Sequence, residues 1–247
     1  MADVPSGALA GAAVAARALA GLVQAFTASL PLPEAAAAPA QAACRRIALV
    51  EAPRVTSARG VAAIGSELVT VLQSASRAAE PADASAGLYD LAAAAQTAFP
   101  ASASPVLTRL YTLARALAAA MEVAALGEAF VAEARTEFAD RRAATEARTR
   151  ITEQMAARGD RIATVLGQEI FAVLSTAARE TSAHLVRQAT SLQPVVRVDA
   201  GRSFPSTAIA WNLYGDPARA EELVARNRAA TPLFMPASFE ALAPSPA

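Results

Sequence analysis

The sequence predicts a mainly α protein: a multi-helix bundle, or long helical hairpins, followed by a small α/β unit. Three observations carry that expectation. Apolar residues recur at steps of three or four through most of the chain, prolines punctuate the recurrences, and a β-branched run follows Pro194. The natural division is an Ala-rich helical domain over 1–193 and a small strand–helix–helix–strand domain over 194–247.

Each helix is expected from its stripe and its stop. The first covers 7–29 and ends at Pro31 and Pro33; Leu9, Val14 or Ala13, Leu19, Leu22 or Val23, and Phe26 sit near helical spacing. This stretch is apolar apart from Arg17, but its apolarity is mainly Ala and it lacks the basic lead of a signal peptide, so it reads as a packed amphipathic helix rather than a membrane span. A second helix is expected over 37–51, stopping before Pro53, a third over 55–79, stopping at Pro81, and a fourth over 84–98, stopping at Pro100. Proline lacks the amide donor and clashes with the preceding turn, which makes it a natural stop. The fifth starts at Ser104-Pro105 and runs to 134 on the stripe Val106, Leu110, Leu113, Leu117 and Met121.

The stretch 135–157 has a different character. It carries Glu137, Asp140, Arg141, Arg142, Glu146, Arg148, Arg150 and Glu153, with only Phe138, Ile151 and Met155 as apolar anchors. Glu137–Arg141 and Glu146–Arg150 stand four apart in the favourable order, so a solvated helix with its own ion pairs is expected. A sharper reading makes it an arm that meets another subunit or DNA phosphates. Gly159-Asp160 is expected to break it, and the following helix, 160–192, to bury Ile162, Leu166, Ile170, Val173 and Ala177.

Beyond Pro194 the signals change. Val195-Val196-Arg197-Val198 reads as a short strand and Asp199 to Gly201 as a turn. Ser206 to Tyr214 reads as a short helix, ended by Gly215 in the left-handed conformation. Asp216 caps the next helix and Pro217 is its first residue; Asn227 ends it, after Arg226 and before Arg228, which complement the helix dipole. Ile209, Trp211, Leu213, Tyr214 and Leu223 are the expected core of a unit of roughly fifty residues, near the lower limit for independent folding.

The run Trp211-Asn212-Leu213-Tyr214-Gly215-Asp216-Pro217, the Arg226-Asn227-Arg228 helix end and Pro232-Leu233-Phe234-Met235-Pro236 resemble the C-terminal end of the DNA circularisation proteins of Mu-like phages and prophages. The same unit looks like a LysM module. The sequence departs from that family in two places: no strands are read in residues 1–50, where the family has a β-rich domain, and Pro236 is followed by Ala237-Ser238 instead of a Gly-Gly pair. The resemblance implies a structural protein of the phage tail or baseplate that holds or protects injected DNA ends without covalent chemistry. It implies other tail proteins, linear DNA ends and further copies of itself as partners, and residence in the bacterial cytoplasm before assembly and in the virion tail after it. The candidate phosphate contacts are Arg141, Arg142, Arg148, Arg150, Arg226 and Arg228.

Composition narrows the alternatives. Arg supplies all 22 basic residues against 22 acidic ones, so the formal charge is zero and carries no nucleic-acid signature. Cys44 is the single cysteine and His184 the single histidine. An intramolecular disulfide is therefore excluded, and a cysteine- or histidine-rich metal site is not expected. No GxxxxGK[ST], HExxH or GxSxG motif occurs, and Thr56-Ser57 and Ser203 have no histidine nearby in sequence. No catalytic, cofactor or metal residue is assigned. Two alternatives to the leading function remain: a tail-assembly adaptor without a DNA role, and a LysM-type peptidoglycan binder. The arginine-rich second helix and the lack of an export signal suit the latter least.

Overall fold

A computed structural model describes residues 5–100 and 102–244. The protein is mainly helical, with one two-stranded antiparallel sheet near its C-terminal end. Its chain divides into two compact units, Met1–Thr136 with Arg150–Ala183, and Glu137–Thr149 with His184–Ala247.

In the first unit, α1 (Ser6–Ser29) and α6 (Thr112–Arg135) are the central helices. α1 packs on α2 (Glu34–Arg46), α3 (Ala58–Ala78), α4 (Pro81–Ala95) and α6. Its buried face is mostly alanine, with Leu19, Val23 and Phe26 adding bulk. Small side chains let these helices approach closely, and the glycines show how closely. A Cβ on Gly11 would lie 2.8 Å from the Tyr111 ring, and one on Gly87 3.0 Å from the Phe26 ring. α1 is the one described helix long and apolar enough to cross a membrane; in this fold it contributes to the core of the first unit.

Pro81, expected as a stop, begins a helix instead, and Pro105 begins one as expected. Pro81 is the first residue of α4 and Pro105 that of α5 (Pro105–Leu110), positions where the missing amide costs nothing. Pro39 lies inside α2, which starts earlier than the expected 37. Past Arg46 the chain widens into a π turn, Ile47–Glu51, and then a 3-10 turn, Ala52–Arg54, that accommodates Pro53 in its first turn. The expected fifth helix is interrupted at Tyr111, between α5 and α6.

The expected break at Gly159-Asp160 is absent: α7 runs unbroken from Arg141 to Leu166. Gly159 serves close packing instead, since a Cβ there would meet the Phe171 ring at 2.8 Å. The break falls at Gly167, whose φ of +92° favours glycine, and α8 (Gln168–Ser191) follows. That shift resets the helical phase. Ile170 and Val173 (69% exposed) face outward, whereas Leu174, Ala178 and Leu185 are buried. Glu137 precedes α7 and lies outside any helix. Asp140 accepts a bond from the Ala143 amide at 2.9 Å and so caps the helix start.

In the second unit, β1 (Val195–Asp199) pairs antiparallel with β2 (Ser238–Leu242), Val195 opposite Leu242 and Val198 opposite Phe239. Between them lie α9 (Ser206–Tyr214), a 3-10 turn at Pro217–Arg219 and α10 (Ala220–Asn227). Ile209, Ala210, Ala220, Leu223, Met235, Phe239 and Ala241 form the buried core, and Val198, Phe204, Leu213, Tyr214 and Val224 pack on it. Trp211 does not belong to this core. It is 61% exposed, because Ile209, Ala210 and Leu213 occupy the inward face of a helix only nine residues long. The compact unit also takes in Glu137–Thr149 and residues 184–193, in addition to 194–247.

Candidate functional site: the C-terminal unit and its arginines

The turns of the C-terminal unit follow from its residue types. Gly215 ends α9 at φ +70°, with its amide donating to the Trp211 carbonyl at 2.8 Å. The Asp216 carboxylate accepts from the Ala218 amide at 2.9 Å, and Pro217 starts the 3-10 turn. The α10 end is less usual. Arg228, not a glycine, takes the left-handed conformation at φ 47°. Asn227 ties helix to strand: its amide nitrogen donates to the carbonyls of Leu223 (2.9 Å) and Glu240 (2.8 Å), and its amide oxygen accepts from the Glu240 amide at 2.7 Å. The Tyr214 hydroxyl donates to the Leu242 carbonyl at 3.2 Å; burial, and then the charge of Glu222, push its pKa up. The Arg219 guanidinium lies 3.7 Å above the Tyr214 ring.

Of the six arginines singled out for phosphate contact, Arg150 belongs to the first unit and the other five to the second. Arg226 and Asp140 form a nearly buried pair at 2.6 Å. Burial by itself raises the Asp140 carboxyl, but the Arg226 guanidinium, the Ala143 amide and the charge of Arg142 outweigh it and hold the group below the usual carboxylate range. Arg142 grips Glu240 through two bonds of 2.8 Å, which lowers the Glu240 pKa, and lies 3.9 Å from Glu146. Arg141 donates to the Ala189 carbonyl at 3.0 Å. Arg150 belongs to the other unit, where it holds the buried Glu133 at 3.0 Å. Arg148 is also engaged in an interaction. Arg228 is exposed and has no carboxylate partner among the described residues. The expected Glu137–Arg141 and Glu146–Arg150 pairs give way to these longer-range partners, because Glu137 lies outside the helix and Glu133 is nearer to Arg150 across the packing of the first unit.

A surface that sequence reasoning missed lies on the loops flanking the sheet. The Ala200 amide donates to the Ala237 carbonyl (2.7 Å), Ser206 to Pro232 (2.7 Å) and Met235 to Phe204 (3.1 Å), so the segments 200–206 and 232–237 run side by side. Met235 points into the core, which leaves its neighbours Leu233 (61% exposed) and Phe234 (72% exposed) in solvent. Arg202 stacks 4.8 Å from the Phe204 ring on the same pair of loops. The hint in the sequence is the run of three apolar residues, Leu233-Phe234-Met235, between two prolines.

The first unit also carries charges that the sequence did not single out. Glu122, Glu128 and Glu133 of α6 are buried. Glu128 accepts from Arg77 at 2.9 Å and from Ser76 at 3.2 Å, and Glu122 is held by Gln96, Arg158 and Arg161. Cys44 is fully buried, and burial, together with the Glu67 charge, pushes its thiol up to about 11. His184 is half-buried in α8. No group of three or more His, Cys, Asp or Glu side chains converges as a metal site among the described residues. Compared with known proteins, the sequence matches no protein-family model and no curated protein.

Proposed function

We propose that the chain is a non-enzymatic structural component of a phage or prophage tail or baseplate, the role implied by its C-terminal resemblance to DNA circularisation proteins, and that it acts as an assembly adaptor. The internal engagement of the arginines is the observation that favours an adaptor over a DNA clamp. Arg142, Arg150 and Arg226 each hold a carboxylate of this same chain. Recruiting such a guanidinium to a phosphate first breaks a charge-assisted bond within the chain. The exposed Trp211, Leu233 and Phe234 supply apolar and aromatic area of the kind that anchors protein interfaces. The DNA-end reading rests on Arg228, which is exposed and has no carboxylate partner among the described residues. A LysM-type glycan-binding role fits least.

Fractionation of particles induced from the bacterium that carries the gene tests the assignment. Antiserum against the protein should label the tail fraction and purified tails. Detection only in the soluble lysate, with labelled tail proteins elsewhere, would contradict it.

A further inference from the structure

We infer that the first unit holds a binding site for a small organic anion, with Arg115 of α6 as the charge partner and Phe99 and Tyr111 as walls. The site does not depend on the tail role, and the charge around Glu122 defines it. Oε1 of this fully buried carboxylate accepts from Gln96 Nε2 at 3.1 Å and from Arg161, and Arg158 Nε forms an ion pair with it at 3.3 Å, while Oε2 has no hydrogen-bond partner among the described residues. Two guanidinium groups therefore share one carboxylate.

Beside them is a cavity of about 40 Å³ lined by Gln96, Phe99, Arg115, Arg161 and Val165. A second cavity of about 210 Å³ shares Phe99 and Arg115 with it and is also bounded by Thr108 and Tyr111. Arg115 is half-buried and has no carboxylate partner among the described residues. Arg158 and Arg161 thus share a single carboxylate, and Arg115 lines the smaller cavity together with Arg161, where partial burial weakens the screening of charge. An anion bound at the shared wall relieves that imbalance.

The dimensions define the ligand. A water molecule needs about 10–15 Å³ of such space, so the smaller cavity takes a carboxylate or a comparably small anionic head and excludes a peptide. The larger cavity takes a compact apolar body, with an aromatic ring suited to contact with Phe99 and Tyr111. The ligand class is a carboxylate or phosphate carried on a small ring or short aliphatic chain.

Titration calorimetry on the full chain with benzoate, phenyl phosphate and neutral benzyl alcohol tests the site. Saturable binding is expected for at least one of the two anions, and at least tenfold weaker binding for the alcohol. Arg115→Met should weaken anion binding at least tenfold, Arg115→Lys should retain part of it, and Arg109→Met, on the exposed side of α5, should leave it unchanged. Should Arg115→Met unfold, Val165→Met fills the smaller cavity without altering any charge and should give the same loss. The inference is overturned if neither anion binds saturably, if benzyl alcohol binds as well as the anions, or if binding survives in the folded Arg115→Met and Val165→Met proteins.

Discussion

Leu223→Ala and Trp211→Ala, made separately, probe the core of the C-terminal unit from opposite sides. Leu223 is fully buried among Ile209, Ala210, Ala220, Met235 and Phe239. Truncation removes three apolar carbons, each worth about 0.8 kcal/mol of transfer energy. It also leaves a cavity, and buried Leu→Ala changes span about 2–5 kcal/mol. Two of the surrounding residues are alanines, too short to swing into the space, and Asn227 pins α10 to β2, so little collapse is available. A loss of about 3–4 kcal/mol is expected, a large share of what a unit this small possesses. Trp211, the only tryptophan, is 61% exposed, and its removal should cost about 1 kcal/mol or less. Hydrogen exchange by mass spectrometry on peptides covering 195–199 and 238–242 reads the local stability of the sheet in the full chain. Protection should collapse in Leu223→Ala and persist in Trp211→Ala. The reverse order would refute the placement of both residues.

Three further expectations follow from the same geometry. Native Trp211 fluorescence should be water-like and readily quenched by iodide; a blue-shifted, unquenchable emission would bury it after all. Asp140 and Glu240 both titrate below their ordinary values because of Arg226 and Arg142, so their contribution to stability is complete above the unfolded carboxyl values of about 4 and is lost as pH falls through the lower folded values. Asp140→Asn should flatten that acid dependence in urea unfolding and cost about 3 kcal/mol at neutral pH, since it strands a nearly buried guanidinium; an unchanged acid limb would count against the pair. Cys44, buried and raised to about 11, should react with a thiol reagent at pH 8 only after unfolding, and rapid labelling of the native protein would contradict its burial.

Where local chemistry decides the outcome, the sequence is readable. Gly215, Asp216 and Pro217 set their turns through their own side chains or the lack of one, and the run after Pro194 forms a strand because β-branched residues fit a pleated surface. Ile209 and Leu223 are buried because each sits on the inward stripe of its helix. Where partners lie far along the chain, the same residues mislead. Arg226 looks like a helix-end charge, yet its partner, Asp140, stands 86 residues away. Gly159 looks like a breaker, and only the Phe171 ring packed against it explains why the helix continues. Trp211 looks like a core residue by type, but smaller neighbours fill the inward face of its short helix. The Arg115 cavities have no sequence signature, because the segment after α4 contributes to them together with α6 and α7 through the tertiary fold.

The adaptor reading is tested most directly by the affinity of the purified protein for linear double-stranded DNA at low salt, where any phosphate contacts are strongest. No binding is expected up to micromolar protein, because Arg142, Arg150 and Arg226 are held by Glu240, Glu133 and Asp140. Micromolar binding that falls steeply with added salt, and that disappears in Arg142→Gln or Arg228→Gln proteins of unchanged fold, would contradict it and restore the DNA-end role.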